Sequence, residues 1–182
     1  MQNKKIDTNI RRIALVGAES TGKTTLTKAL AAHFQTAWNP EFVRGFAKAK
    51  MQFSERELSK NDLDTIFWGQ LVTENQTCRR AKPPFVFFDT NLLMSIVYAR
   101  YYQNVEKDWW EEAFQAQNYH HYFLLEPDFP WQPDPVRESP EAQATLQEAI
   151  HQELIKRGIA FTLLSGSLTE RLEKGIEVLK AR

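Results

Sequence analysis

Eight consecutive residues, Gly17-Ala18-Glu19-Ser20-Thr21-Gly22-Lys23-Thr24, carry the spacing G-x-x-x-x-G-K-[ST], whose chemistry is the holding of a polyphosphate. A triphosphate is densely anionic, and successive backbone N–H groups in a tight loop form a concave anion site. Gly17 and Gly22 allow backbone angles and close approach that a Cβ would block. A helix opening near Gly22 adds unpaired N–H groups and the positive end of its dipole. Lys23 can reach the β- and γ-phosphates, the Thr24 hydroxyl can ligate Mg²⁺, and Thr25 stands where an α-phosphate contact is in reach.

Two carboxylates suit the other half of a transfer reaction. Asp89 closes the run Phe85-Val86-Phe87-Phe88. Four apolar residues followed by Asp is the pattern of an element whose carboxylate serves Mg²⁺ or its water shell. The same Asp can orient an acceptor hydroxyl or cap the next helix. Glu41 lies in Trp38-Asn39-Pro40-Glu41-Phe42-Val43-Arg44 and can accept a hydroxyl proton. Arg44 can bind phosphate or anchor Glu41, and an i,i+3 ion pair on a helix face is the plainer alternative. Which of Glu41 and Asp89 acts as base is open at this level.

The segment Glu126–Pro140 holds five of the eight prolines, and proline lowers the entropy lost when a loop orders. It has the character of a lid or substrate loop. Within it Trp131 can stack on a ligand or cap the edge of the core. Arg137 can close over the nucleotide and stabilise charge on a transferring phosphoryl group, or sit solvated.

These residues need elements to place them. Ile13–Val16 is an apolar run suited to a buried strand, and Thr25–Phe34 is a helix with Leu26, Leu30 and Phe34 on one face. A short strand over Gln35–Trp38 should end at Asn39-Pro40, followed by a helix from Glu41 to about Met51. Ser54-Glu55-Arg56-Glu57 has the form of a capping box. It predicts a long helix toward Arg80 with Leu63, Ile66, Phe67, Leu71 and Val72 facing inward, and Asn61-Asp62 as a candidate break. Pro83-Pro84 stops it. The unbroken hydrophobicity of Phe85–Phe88 suits a strand covered on both faces.

Helices are expected at Leu92–Tyr102 and Lys107–Gln117, and a strand at Tyr122–Leu125. Pro140–Arg157 is a helix capped by Ser139 with proline first. A last strand spans Ile159–Leu164, and Ser167-Leu168-Thr169-Glu170 caps a terminal helix. Strands alternating with helices imply an α/β fold in three layers, of the P-loop NTPase kind that nucleoside and nucleotide kinases use, with a parallel sheet of about five strands. Ligands then bind beyond the carboxyl ends of the strands.

Composition narrows the classes. At 182 residues one kinase-sized domain is expected, with residues 1–10 a disordered N-terminus. Lys and Arg number 23 against 23 Asp and Glu, so neither a nucleic acid nor a membrane surface is an expected partner. Cys78 is alone and the four His residues lack metal-ligand spacing. No apolar stretch approaches a membrane span and no signal region precedes the first strand. A cytoplasmic protein with a small-molecule substrate is expected, with homo-oligomerisation open. Trp38, Trp68, Trp109 and Trp110 are expected to be core or surface-stacking residues, and no chemistry is attached to Trp109-Trp110.

In order along the chain, the Gly17–Thr24 loop, Pro40-Glu41-Phe42-Val43-Arg44, Phe88-Asp89-Thr90-Asn91 and the Asp128–Arg137 segment together resemble the ribosylnicotinamide kinase domain of the NadR proteins and its stand-alone relatives. The resemblance runs from about Arg11 to Leu179. It implies ATP- and Mg²⁺-dependent phosphorylation of the 5′-hydroxyl of nicotinamide riboside, giving nicotinamide mononucleotide. It carries nucleotide binding to Gly17, Glu19, Ser20, Thr21, Gly22, Lys23, Thr24 and Thr25, and lid contacts to Arg137.

Riboside contacts fall to Glu41, Asp89, Trp131 and Asp134. Asn91 stands where an acidic residue is expected, and Pro135 where a glycine is. The NadR proteins also carry adenylyltransferase and DNA-binding portions, for which this chain is expected to have no room. Two rival functions are a kinase for another nucleoside or small metabolite, and an NTP-binding regulatory module without an acceptor.

Overall fold

The computed structural model describes residues 9–54, 58–128 and 140–181. Five strands, β1 (Arg11–Val16), β2 (Trp38–Asn39), β3 (Phe85–Asp89), β4 (His121–Leu125) and β5 (Phe161–Leu164), form one parallel sheet in the order β2-β3-β1-β4-β5. The helices are α1 (Lys23–His33), α2 (Phe42–Ser54), α3 (Leu63–Arg80), α4 (Leu92–Gln103), α5 (Asp108–Gln115), α6 (Pro140–Lys156) and α7 (Leu168–Lys180).

The hydrophobic runs of the strands are explained by burial on both faces. Along β1, Ile13 and Leu15 point into one core with Leu26 and Leu30 of α1, Phe87, Phe123 and Leu179 of α7. Ala14 and Val16 point into the other, with Phe67 of α3, Leu93 of α4, Trp110 of α5 and Ile150 of α6. A period of two thus feeds two apolar layers, and a strand wet on neither side needs no polar alternation. The expected three-layer α/β architecture is the one observed.

Several local expectations shift. Gln35 has a φ of 51° and Thr36 N–H bonds Ala31 O, so the turn that closes α1 occupies the start of the stretch assigned to a strand, and β2 starts only at Trp38. Ser54 does not open a helix. It is the last residue of α2, its hydroxyl donating to Lys50 O one turn back, which is the common use of a serine inside a helix.

The box that leads into α3 is Ser59–Asp62, where the Ser59 N–H and hydroxyl both donate to Asp62 Oδ2 in a 3₁₀ turn over Lys60–Asp62. Val72 is 46% exposed, since the inward stripe of α3 is Ile66, Phe67, Gln70, Glu74, Thr77 and Cys78. Trp68 is likewise 54% exposed, stacked on Trp109 at 5.3 Å. Among the described residues no helix is long and apolar enough to cross a membrane.

Candidate active site

Leu15 of β1 lies opposite Asp89 of β3, so the loop that leaves β1 and the carboxylate that ends β3 emerge side by side at the carboxyl edge of the sheet. The loop Gly17–Gly22 then turns into α1. Gly17 has φ +145° and Gly22 φ +85°, angles that favour glycine. A Cβ on Gly17 would stand 2.8 Å from the Leu125 carbonyl oxygen at the end of β4.

Within the loop, Lys23 Nζ donates to Gly17 O at 2.9 Å and to Ala18 O at 2.6 Å. Burial pushes its pKa down, while Glu41, Asp89 and Glu19 face the ammonium and oppose that shift. The Thr24 hydroxyl donates to Asp89 Oδ2 at 2.5 Å. The Ser20 hydroxyl is buried and has no hydrogen-bond partner among the described residues. Gly22, Thr25 and Leu26 line an open cleft of about 300 Å³ with Leu168 and Arg171 of α7.

Glu41 sits in the turn between β2 and α2, just before the helix that was expected to include it. Its carboxyl pKa is raised, first by burial and further by Asp89, against the pull of Lys23 and Arg44. Arg44 bonds Glu41 Oε2 at 3.4 Å, and is itself largely in solvent. The anchoring role and the i,i+3 pair are therefore one and the same contact. Asn91, at the position where an acidic residue is expected, caps α4 and donates to Tyr122 Oη at 2.9 Å.

The structure thus brings together Lys23, Thr24, Glu41, Arg44 and Asp89. Trp131, Asp134 and Arg137, together with Pro135, lie outside the described residues. The first residues of the proline-rich segment are described: Asp128 Oδ2 accepts from Arg171 Nη2 at 3.0 Å and from Gly166 N–H at 2.5 Å.

Four residues at this edge carry no motif. Gln147 Oε1 accepts from Ala18 N–H at 2.8 Å, and its Nε2 donates to Leu125 O at 3.0 Å. Gln143 Nε2 donates to Glu19 O at 2.6 Å. Arg171 donates to Thr21 O, Gly166 O and Glu126 O. Tyr98 on α4 has its phenol pKa driven up by burial and then by Glu41, Glu19, Tyr102 and Asp89. A polar side chain on an otherwise apolar stripe was the available signal: Gln147 beside Leu146 and Ile150, Arg171 in line with Gly175 and Leu179.

Among the described residues no group of three or more His, Cys, Asp or Glu side chains is arranged to hold a metal. Any cation here would share its coordination sphere with the phosphates and water.

A family profile described as an AAA domain, AAA_28, matches residues 12–171. The chain belongs to the AAA_28 family. This AAA_28 domain is also similar to the trifunctional NAD biosynthesis/regulator protein NadR of Salmonella typhimurium, 27% identical over 128 residues, covering 70% of this chain and 31% of that protein. The chain therefore spans about a third of the length of its curated relative.

Among solved structures, NadR in complex with NR superposes with TM-score 0.76 at 21% identity, over 94% of this chain and 51% of that one. NadR in complex with NAD and AMP-PNP gives 0.72 at 19% identity, over 94% and 49%. Thymidylate kinase from Ehrlichia chaffeensis gives 0.66 at 12% identity, over 93% and 98%. The fold of the AAA_28 domain is that of the P-loop nucleoside and nucleotide kinases.

Proposed function

We propose that the chain is an ATP-dependent kinase acting on the 5′-hydroxyl of nicotinamide riboside and releasing nicotinamide mononucleotide and ADP. The observation that carries the reading is that Thr24 of the phosphate loop bonds Asp89 Oδ2, beside Lys23 and near enough to Glu41 for that carboxyl to act on the ammonium. A cation for the donor and two carboxylates for the acceptor share one edge of the sheet. The similarity to NadR over 128 residues and the NR-bound neighbour support the choice of acceptor, and the AMP-PNP-bound neighbour supports ATP as donor.

The β- and γ-phosphates lie along Gly17–Thr24, with Lys23 on their oxygens, Ser20 supplying a free hydroxyl, and Thr25 near the α-phosphate. The nucleoside part of ATP enters the cleft between α1 and α7. Thr24 Oγ1 and Asp89 Oδ2 are hard oxygen donors already in contact, and would hold the Mg²⁺ whose charge neutralises the phosphate oxygens. Glu41, whose carboxyl pKa is raised by burial, accepts the proton of the 5′-hydroxyl. The O5′–Pγ bond forms as the bond from Pγ to the β,γ-bridging oxygen breaks, and ADP leaves with that electron pair.

To Trp131 and Asp134 the proposal assigns the cationic nicotinamide ring, attracted by an indole face, and the ribose hydroxyls. To Arg137 it assigns the charge on the transferring group. Catalysis is then chiefly positioning and charge neutralisation.

A second reading, phosphorylation of another nucleoside or nucleotide, is favoured by the match over nearly the whole of thymidylate kinase. One assay separates them. ADP release is followed with ATP, Mg²⁺ and nicotinamide riboside, other nucleosides, or no acceptor. Release that depends on nicotinamide riboside is the expected result. Turnover only with another nucleoside selects the second reading, and acceptor-independent hydrolysis makes the chain an NTPase module.

A further inference from the structure

The two turns that carry Glu41 and Asp89 are joined underneath by a single buried side chain. Glu74, in the middle of α3, is fully buried. Its Oε1 accepts from Gln70 Nε2 at 2.8 Å, and Gln70 Oε1 accepts from Phe42 N–H at 3.0 Å, the amide next to Glu41. Its Oε2 accepts from the Tyr119 hydroxyl. Tyr119 Oη accepts in turn from Leu92 N–H at 3.4 Å, the first amide of α4 and three residues beyond Asp89.

The polarity of this chain is not free. Phe42 N–H and Leu92 N–H can only donate, so Gln70 must present its oxygen to the first, and Tyr119 its lone pair to the second. The Gln70 amide hydrogens and the Tyr119 proton are thereby turned onto Glu74, which must accept on both oxygens. A carboxylate meets that demand on both oxygens, whereas a carboxylic acid meets it on one and turns a donor toward the partner of the other. A proton on Oε2 is met by turning the Tyr119 hydroxyl away from the carboxyl, and a proton on Oε1 by a flip of the Gln70 amide. The flip faces its NH₂ toward Phe42 N–H, and the anchor beside Glu41 is lost.

We propose that Glu74 is a positioning residue for the phosphoryl acceptor: its ionised carboxylate, through Gln70 and Tyr119, holds the turns bearing Glu41 and Asp89 in the arrangement that binds the nucleoside hydroxyl. The inference rests on the reading of those two carboxylates as acceptor-site groups. Burial raises the Glu74 pKa to about 7, against Tyr119, Gln70 and the Arg12 guanidinium from β1. Tyr122 of β4 and Cys78 of α3 are the other titratable groups that sense its charge, and both are driven up in pKa, so they are neutral where Glu74 titrates. The anchor therefore engages as pH rises through neutrality.

The experiment compares wild type with Glu74→Gln, Tyr119→Phe and the exchange Gln70→Glu/Glu74→Gln, using nicotinamide riboside as acceptor. In wild type, kcat/KM for the acceptor should rise about tenfold from pH 6 to pH 8. Glu74→Gln imitates the protonated acid: at pH 8 it should lose about tenfold in acceptor kcat/KM, keep its KM for ATP within twofold, and show a flat profile near pH 7.

In the exchanged double variant, the carboxylate moved to position 70 accepts from Phe42 N–H and from the side-chain amide moved to position 74, whose oxygen still accepts from Tyr119. At least half of the loss should return. Tyr119→Phe removes one donor and should move the limb to higher pH. A Glu74→Gln enzyme with wild-type acceptor kinetics and pH slope overturns the proposal. So does an equal loss for ATP and acceptor that the exchange does not repair.

Amide NMR keeps this apart from the kinase assignment. The Phe42 and Leu92 N–H resonances should shift together with a midpoint near pH 7 in wild type and not in Glu74→Gln. If no nucleoside is turned over and those amides still titrate, the kinase reading falls and the coupling stands. Turnover with both amides unmoved overturns the coupling.

Discussion

Thr24 Oγ1 donates to Asp89 Oδ2 at 2.5 Å, tying the first turn of α1 to the carboxyl end of β3. The contact follows from strand order: β1 and β3 are direct neighbours, so a residue in the first turn of the helix after one strand meets the residue that closes the other. The pair is the hinge of the proposed chemistry, joining the phosphate side to the acceptor side.

Asp89→Asn should therefore cost turnover far more than folding. The amide retains a partner for Thr24 but loses the charge, and removal of one preorganised electrostatic group typically costs ~10²–10³-fold in kcat. Steady-state ADP release, alongside a melting curve close to that of wild type, checks it.

Lys23→Ala should abolish turnover while leaving the far-ultraviolet circular dichroism unchanged. The ammonium is held by Gly17 O and Ala18 O, against a burial cost, so its loss removes the cation from the phosphate site without emptying an apolar core. A lysine variant that still turns over would exclude the phosphate loop from the reaction.

Gly69→Ala tests how the Glu41 turn is seated. A Cβ there would lie 2.1 Å from Cζ of Phe42, whose ring covers the glycine. Phe42 has to move, and its N–H is the one held by Gln70. We expect a loss of about 1–3 kcal/mol of stability by urea titration, and a higher KM for the acceptor than for ATP.

The pH dependence of stability should run opposite to that of acceptor binding. Glu74 has an ordinary value of 4.5 and is raised to about 7 in the fold. Between those values the folded chain holds a proton that the unfolded chain has released. Stability from this group is then full below about pH 4.5 and lost as pH rises through 7, on the order of 3 kcal/mol in all. Denaturant titrations at pH 5 and pH 8 should show that slope in wild type and a shallower one in Glu74→Gln.

Much of the fold was legible because its strands and phosphate loop are local signals. The unbroken Phe85–Asp89 run, the glycine spacing and the Ser167–Glu170 box each depend on near neighbours in sequence. The misplacements have local causes as well: Ser54 satisfied a capping pattern while closing a helix, and the turn that ends α1 took up Gln35 and Thr36. What sequence could not convey is pairing across long separations. Gln147 against Ala18, Arg171 against Thr21 and Glu74 against Tyr119 are buried polar contacts between distant segments, and no spacing rule encodes them. Tyr98 was lost for a related reason, since an aromatic residue in an apolar helix resembles core.

The Leu125 carbonyl against Gly17 changes what that glycine stands for. It is required by the end of β4, 2.8 Å from where its Cβ would be, and by its φ of +145°, whether or not a nucleotide is bound. A descendant of this chain that abandoned phosphate altogether would be free to drift at Lys23 and Thr24, yet would keep Gly17 as a fossil of the sheet's own geometry.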